Sequence, residues 1–111
     1  MVTRERLIET IKAAITDYAR FEPSYGPMKI ETIFDDVLGH YELIYSGWQS
    51  DMRVHGSVIH VDVVDNKALI EYDGTEHGIA RELNERGIPK EQIVLAFMSE
   101  ERRRHSRYAV N

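Results

Sequence analysis

Cysteine is absent from the 111 residues, which excludes disulfides, thiol nucleophiles and zinc sites of the cysteine type and agrees with a reducing compartment. The cytoplasm is therefore the expected location. No uncharged run approaches the roughly 20 residues of a membrane span, and the first residues carry Arg4, Glu5 and Arg6 in place of an apolar segment. A soluble, unexported protein with no membrane partner is expected. There is no G-x-G-x-x-G or Walker pattern to cradle a phosphate. No internal repeat is present, and this length suits one domain, 1–111, burying roughly two-thirds of its unfolded surface. Positive charge is also in short supply: the formal charge is −5 and the pI about 5.5, which argues against broad, non-specific nucleic-acid binding. The exception is the end of the chain. Between Ser99 and Asn111 four arginines stand against two glutamates, so that segment is +2 and the remainder is −7.

What is present is a strong apolar pattern. Thr3 is placed to cap a helix whose Leu7, Ile8, Ile11, Ala14, Ile15, Tyr18 and Ala19 recur at helical spacing and form one stripe. Such a helix covers a sheet. Pro23, Gly26 and Pro27 then predict a loop over 22–29. Strands are expected over 30–37 and 40–48, joined at Leu38-Gly39, and after a polar loop over 49–53 a third strand runs over 54–64. In that strand Ile59, Val61 and Val63 share one face, and Val58, His60, Asp62 and Val64 the other. Asp65-Asn66 suits a two-residue turn into a fourth strand, 67–72. A turn over 73–76, with Asp73 or Thr75 as the cap, leads to a short helix over 79–86 that Gly87 closes. Pro89 opens a helical turn over 89–92, and Ile93 to Phe97 read as a last strand. The fold class is α+β: an antiparallel meander of four or five strands with an N-terminal helix and a short helix after the fourth strand.

Four local features invite a chemical reading. His60 and Asp62 share a strand face, whereas strict alternation points His55 the other way; the pair would hold a metal only if His40 or His77 approached, since zinc takes three or four ligands. A hydrogen-bonded histidine in a sheet explains the same residues. The carboxylates Asp73 and Glu76 invite an acid–base reading, but turn and cap duty accounts for them. Neither a catalytic, a cofactor nor a metal set is assigned. Arg102, Arg103, Arg104 and Arg107 suit contacts with DNA phosphates or an acidic partner surface, set against a solvated surface helix offset by Glu100 and Glu101. Finally, Tyr25, Tyr41, Tyr45, Trp48 and Tyr72 are core or interface aromatics. A sheet with helices on one face leaves Ile44, Trp48, Val54 and Val58 to be covered by self-association or a companion.

Several runs together resemble one family. They are Gly56-Ser57-Val58-Ile59-His60-Val61-Asp62, the DGTEHGIA run from Asp73 to Ala80, Glu82-Leu83, the GIPKEQIVLAF run from Gly87 to Phe97, and Tyr108-Ala109-Val110. The front half adds Tyr18-Ala19, Ser24-Tyr25-Gly26, Phe34-Asp35, His40-Tyr41 and Gly47-Trp48. In this order and spacing they resemble the XisI-like family, named for an fdxN-element excision controlling factor. The resemblance implies a non-enzymatic accessory protein that acts with a XisH-like companion to control a site-specific recombinase excising a DNA element. It implies no catalytic residue or cofactor. The end departs from the family pattern: Ala96-Phe97-Met98-Ser99-Glu100 stands where a proline is usual, and Ser106 and Tyr108 where Thr and Phe are common. The alternative reading is a small enzyme or ligand-binding domain using His60, Asp62 and the 73–76 turn.

Overall fold

The structure, a computed structural model, describes residues 1–21 and 28–111; of the loop expected over 22–29, residues 22–27 lie outside them, and Lys29 already belongs to the first strand. The order is helix α1 (Arg4–Phe21), strands β1 (Lys29–Asp35), β2 (His40–Gln49), β3 (Met52–Val64) and β4 (Lys67–Asp73), helix α2 (Ile79–Glu85), a 3-10 turn (Lys90–Gln92), strand β5 (Ile93–Val94) and helix α3 (Glu100–Arg104). Together they form an α+β fold around one five-stranded sheet in the order β1-β2-β3-β4-β5.

Local chemistry explains most of the boundaries. The Thr3 hydroxyl accepts a hydrogen bond from the Arg6 amide at 3.2 Å, capping α1. The β1–β2 turn is held by the Asp35 carboxylate, which accepts from the amides of Val37 and Leu38, both at 2.9 Å. Asp65 and Asn66 both take positive φ, 50° and 58°, the type I′ geometry of a tight hairpin. At the end of α2, Gly87 has φ 103°, its amide donates to Asn84 O, and the Ile88 amide donates to Leu83 O. That is a complete Schellman closure.

The structure departs from expectation at three places. The polar loop over 49–53 is only a two-residue turn, because Gln49 pairs with Met52 and Trp48 with Arg53, whose guanidinium lies 5.5 Å over the indole ring. The last strand is two residues long and runs parallel to β4, with Ala68 beside Ile93 and Leu69 beside Val94, so the sheet is mixed rather than a pure meander. A parallel return needs a crossover, and the segment carrying α2 provides it. Beyond Val94 the chain turns, and the tail comes back beside it: Ala109 bridges Val94, and its amide donates to Ile93 O at 2.9 Å. The third departure is a β-bulge. About the Ser50–Asp51 tip an uninterrupted hairpin would oppose His40 to Val61 and Glu42 to Ile59, setting polar residues of β2 against apolar residues of β3. The register instead shifts between Leu43 and Ile44, so that Leu43 pairs with Ile59 and Tyr41 with Val61. The extra residue, Val58, packs against the core. His55 keeps the tip register opposite Ser46, and the bulge between it and His60 sets the two histidines on the same face, contrary to strict alternation.

The core lies between the sheet and α1 and α2. Leu7, Ile11 and Ile15 of α1 and Leu83 of α2 are fully buried with Tyr41, Leu43, Ile59, Val61 and Ile70. Tyr41 also reaches the edge of this core, where its hydroxyl donates to Asp36 Oδ1 at 2.9 Å. Lys12 of α1 holds the other carboxylate oxygen at 2.8 Å, and Arg4 donates to Asp36 O at 3.1 Å. The two side-chain hydrogen bonds, Lys12 first, hold the Asp36 carboxyl below its ordinary range.

Burial, and then the Asp36 carboxylate, push the Tyr41 hydroxyl up to about 12. A tyrosine whose native value is raised binds its proton more tightly folded than unfolded. Its contribution to stability is complete below about pH 10, the unfolded value, and is lost as the pH rises from there through about 12. In an alkaline absorbance titration of the six tyrosines, Tyr41 is expected to ionise late, together with unfolding, and Tyr41→Phe to remove that late step. Ionisation of all six around pH 10 would show that the Tyr41–Asp36 bond is not made in solution.

Candidate functional site

The sheet face turned away from α1 and α2 holds a cluster of histidines and carboxylates. The register places His40 opposite Asp62 and Glu42 opposite His60, and β4 sets Leu69 and Tyr72 beside them. None of these residues is buried. Asp62 Oδ1 accepts from His40 Nδ1 at 3.0 Å and from His60 Nε2 at 2.9 Å, while His40 Nε2 lies 3.1 Å from Glu42 Oε1. The two imidazole rings are 4.4 Å apart, tilted by 59°. Burial acts to lower the His40 value, but the hydrogen bonds to Glu42 and Asp62, with the charges of both carboxylates, outweigh it and leave it raised. Each His40 ring nitrogen faces a carboxylate oxygen, an arrangement that favours the imidazolium, in which both nitrogens donate. The sequence pattern singled out His60 and Asp62; the bulge-shifted register brings His40 and Glu42 to them. Val58 belongs to the core side, and Val54, opposite Gly47, shares that side. The apolar residues around the cluster are Ile33, Ile44, Val64, Leu69 and Tyr72.

A second cluster runs along α2, from His77 just before it to Glu85 at its end. His77 Nε2 is 2.7 Å from Glu85 Oε1 and 3.6 Å from Glu82 Oε1. The hydrogen bond to His77 holds the Glu85 carboxyl below its ordinary range. Glu82 already serves Arg86, which reaches across to α1 and ties Glu82 at 2.7 Å and Asp17 at 2.9 Å. These bonds raise the Arg86 value, Asp17 first. Beside them a cavity of about 280 Å³ opens between α1 and α2, lined in part by Ala14, Tyr18, Gly78 and Ile79.

The 73–76 turn is occupied with backbone work. Asp73 Oδ1 accepts from the Thr75 amide at 2.9 Å and from its hydroxyl at 2.6 Å, and Oδ2 accepts from the Ile79 amide at 2.8 Å. Thr75 in turn accepts from the Gly78 amide at 3.0 Å. Asp73 pairs with Ile59, on the core side of the sheet. The sheet therefore stands between this turn and the His60–Asp62 pair.

The four arginines of the tail divide. Arg103 donates from Nε to Met98 O at 3.0 Å and from its terminal nitrogen to Val110 O at 2.9 Å, tying the chain end to the start of α3. Arg104 pairs with Glu100 at 3.2 Å. Arg102 and Arg107 are exposed. Of the aromatic residues, Tyr41 is buried, Trp48 and Tyr72 are about half exposed, and Tyr25 lies outside the described residues. Among the described residues no helix is long and apolar enough to cross a membrane.

Helices α1 and α2 packed on one side of a mixed sheet, with a histidine–carboxylate cluster on the other, define a small α+β protein. The family model described as XisI protein matches residues 1–110, and the chain belongs to the XisI family. A crystal structure of a XisI-like protein from Anabaena variabilis ATCC 29413 is 30% identical, with a TM-score of 0.92 over 98% of this chain and 100% of that one. A crystal structure of the fdxN element excision controlling factor XisI from the same organism is 25% identical, with a TM-score of 0.85 over 97% of this chain and 98% of the other. No curated protein matches the chain.

Proposed function

We propose that this chain is a non-enzymatic accessory factor that acts with a XisH-like companion to control excision of a DNA element. Membership of the XisI family over residues 1–110 carries the reading, and the likeness to the excision controlling factor XisI extends it to the whole fold. The reading as a small enzyme needs His60, Asp62 and the 73–76 turn to converge on one cleft. They lie on opposite sides of the sheet, and the Asp73 oxygens are engaged by Thr75 and Ile79.

The companion docks on the sheet face opposite α1 and α2, where Ile33, Ile44, Leu69 and Tyr72 give a partly apolar surface around a polar centre. Arg102 and Arg107 add charge contacts to the companion's acidic surface or to DNA. Co-expression with a XisH-type protein encoded beside it, followed by affinity capture, is expected to recover both chains. Ile44→Arg is expected to abolish that capture while leaving the thermal midpoint within a few degrees, because Ile44 lies outside the core cluster. Replacing Arg102 and Arg107 with alanine is expected to weaken it about tenfold, each exposed ion pair contributing up to about 1 kcal/mol. Arg103 stays in place in this test, since its loss frees the chain end. Recovery of the chain as a monomer that ignores its companion would sink the proposal.

A further inference from the structure

We propose that His40, His60 and Asp62 form a binding site for a divalent transition-metal ion, zinc above all, on the face of the sheet opposite α1 and α2. The donor set comes first. Two imidazole nitrogens and one carboxylate oxygen are a recurrent three-ligand set for zinc, and their ligand atoms here all lie within 4.8 Å of one another. Asp62 Oδ1 is 2.9 Å from His60 Nε2 and 3.0 Å from His40 Nδ1. Metal–ligand bonds of about 2.0–2.2 Å in tetrahedral geometry set ligand atoms about 3.3 Å apart. The two carboxylate–imidazole spacings need only a few tenths of an ångström of expansion, and rotation of the rings closes the remaining pair.

The shell behind the ligands is also present. A metal-bound imidazole characteristically donates its other ring nitrogen to a carboxylate, which orients the ring and raises its basicity. Glu42 Oε1 stands 3.1 Å from His40 Nε2, leaving Nδ1 as the metal-facing atom. On binding, the ion takes the place of the proton between His40 Nδ1 and Asp62, and the Glu42 bond is kept.

The backbone supports the same arrangement. All four residues sit on paired strands, β2 and β3, in the middle of the sheet rather than on loops. The bulge between Leu43 and Ile44 brings His40 level with Asp62. The half-buried ligands, with side-chain exposures of 27–33%, leave a fourth position facing outward for water. Imidazole favours zinc, copper and nickel, whereas magnesium and calcium prefer all-oxygen sets. The alternative cluster of His77, Glu82 and Glu85 is weaker, because Glu82 is held by Arg86 at 2.7 Å and Glu85 is approached by Arg81 at 3.6 Å.

The test uses the full chain, freed of metal with a chelator and titrated with zinc chloride by calorimetry. The expected result is saturable binding of one ion per chain, a rise in thermal midpoint, and no response to magnesium. Cobalt(II) is expected to give the intense visible absorption of a four-coordinate site. Asp62→Asn and His60→Gln are each expected to abolish saturable binding, and Glu42→Gln to weaken it by about 10–100-fold. His77→Gln is expected to leave it unchanged. Circular dichroism of the metal-free variants separates lost ligands from lost folding, and Asp62→Asn is nearly isosteric should His60→Gln fail to fold. Absence of saturable zinc binding, binding that survives loss of Asp62, or binding lost in His77→Gln would overturn the site. No readout involves the companion, so failure here leaves the excision-control reading intact, and the reverse holds equally.

Discussion

Gln92→Glu is expected to be the most damaging single change of one side-chain atom, lowering stability at pH 7 by about 3–5 kcal/mol. For a chain near this length that is a drop of roughly 15 °C or more in thermal midpoint. Gln92 is a fully buried polar side chain. Its Oε1 accepts from the Val2 amide at 2.6 Å, and its Nε2 donates to Val2 O at 3.1 Å and Asn66 O at 2.9 Å. One amide thus joins the N-terminus, the β3–β4 turn and the 3-10 turn before β5. Glutamate keeps the shape but turns the donor into an acceptor, so an unpaired carboxylate oxygen faces two carbonyls. Burial favours its neutral form, which raises the folded-state value above the unfolded one, so stability is regained as the pH falls through the raised value. Urea midpoints at pH 7 and pH 5 measure both effects. Equal midpoints for variant and parent at pH 7 would show that Gln92 is reached by water. Gln92→Leu, which removes both the donor and the acceptor without adding charge, is expected to cost about 2–3 kcal/mol through the Val2 amide and the two carbonyls left unpaired.

Gly39→Ala is expected to cost about 3 kcal/mol, from two independent sources. Gly39 has φ +70°, where an L side chain costs roughly 1–2 kcal/mol. A Cβ there would also lie 2.8 Å from the backbone oxygen of Val63, a contact that only movement of the strand relieves. That movement would strain the 2.7 Å hydrogen bond from the Val63 amide to Gly39 O, which fastens the β1–β2 corner to the end of β3. Gly56→Ala is the matched control: its new Cβ meets nothing within 4 Å, and it is expected to stay within about 0.5 kcal/mol of the parent. Equal denaturation midpoints for the two variants would refute this account of the corner. Because Gly39 precedes His40, its loss is also expected to weaken the zinc response.

The elements legible from residue order are those whose cause is local. Thr3 and the stripe from Leu7 to Ala19 specify α1, because a helix closes its bonds within four residues. Asp65-Asn66 and Gly87 declare their turns through backbone conformations that few residues adopt cheaply. The odd-numbered apolar residues Ile59, Val61 and Val63 of β3 mark its buried face because successive side chains of a strand alternate. Family membership was legible too, since the matching runs extend along the whole chain.

Direction and register were not, because they depend on partners far away in sequence. Ile93-Val94 is an apolar pair that reads alike in either direction, and only the crossover through α2 makes it parallel. Gln92 is placed by the sequence only in the helical turn over 89–92, and its burial follows from Val2 and Asn66 closing around it. The bulge is the decisive case. The hairpin tip at Ser50–Asp51 and the buried faces of β2 and β3 demand registers one residue apart, and the conflict is resolved by admitting Val58 as an extra residue. His60 and Asp62 could be placed on one face by alternation alone. That His40 and Glu42 join them follows from a choice the chain makes only when both strands bury their apolar sides against the same helix, since hydrophobic burial outweighs the ideal pairing of a single residue.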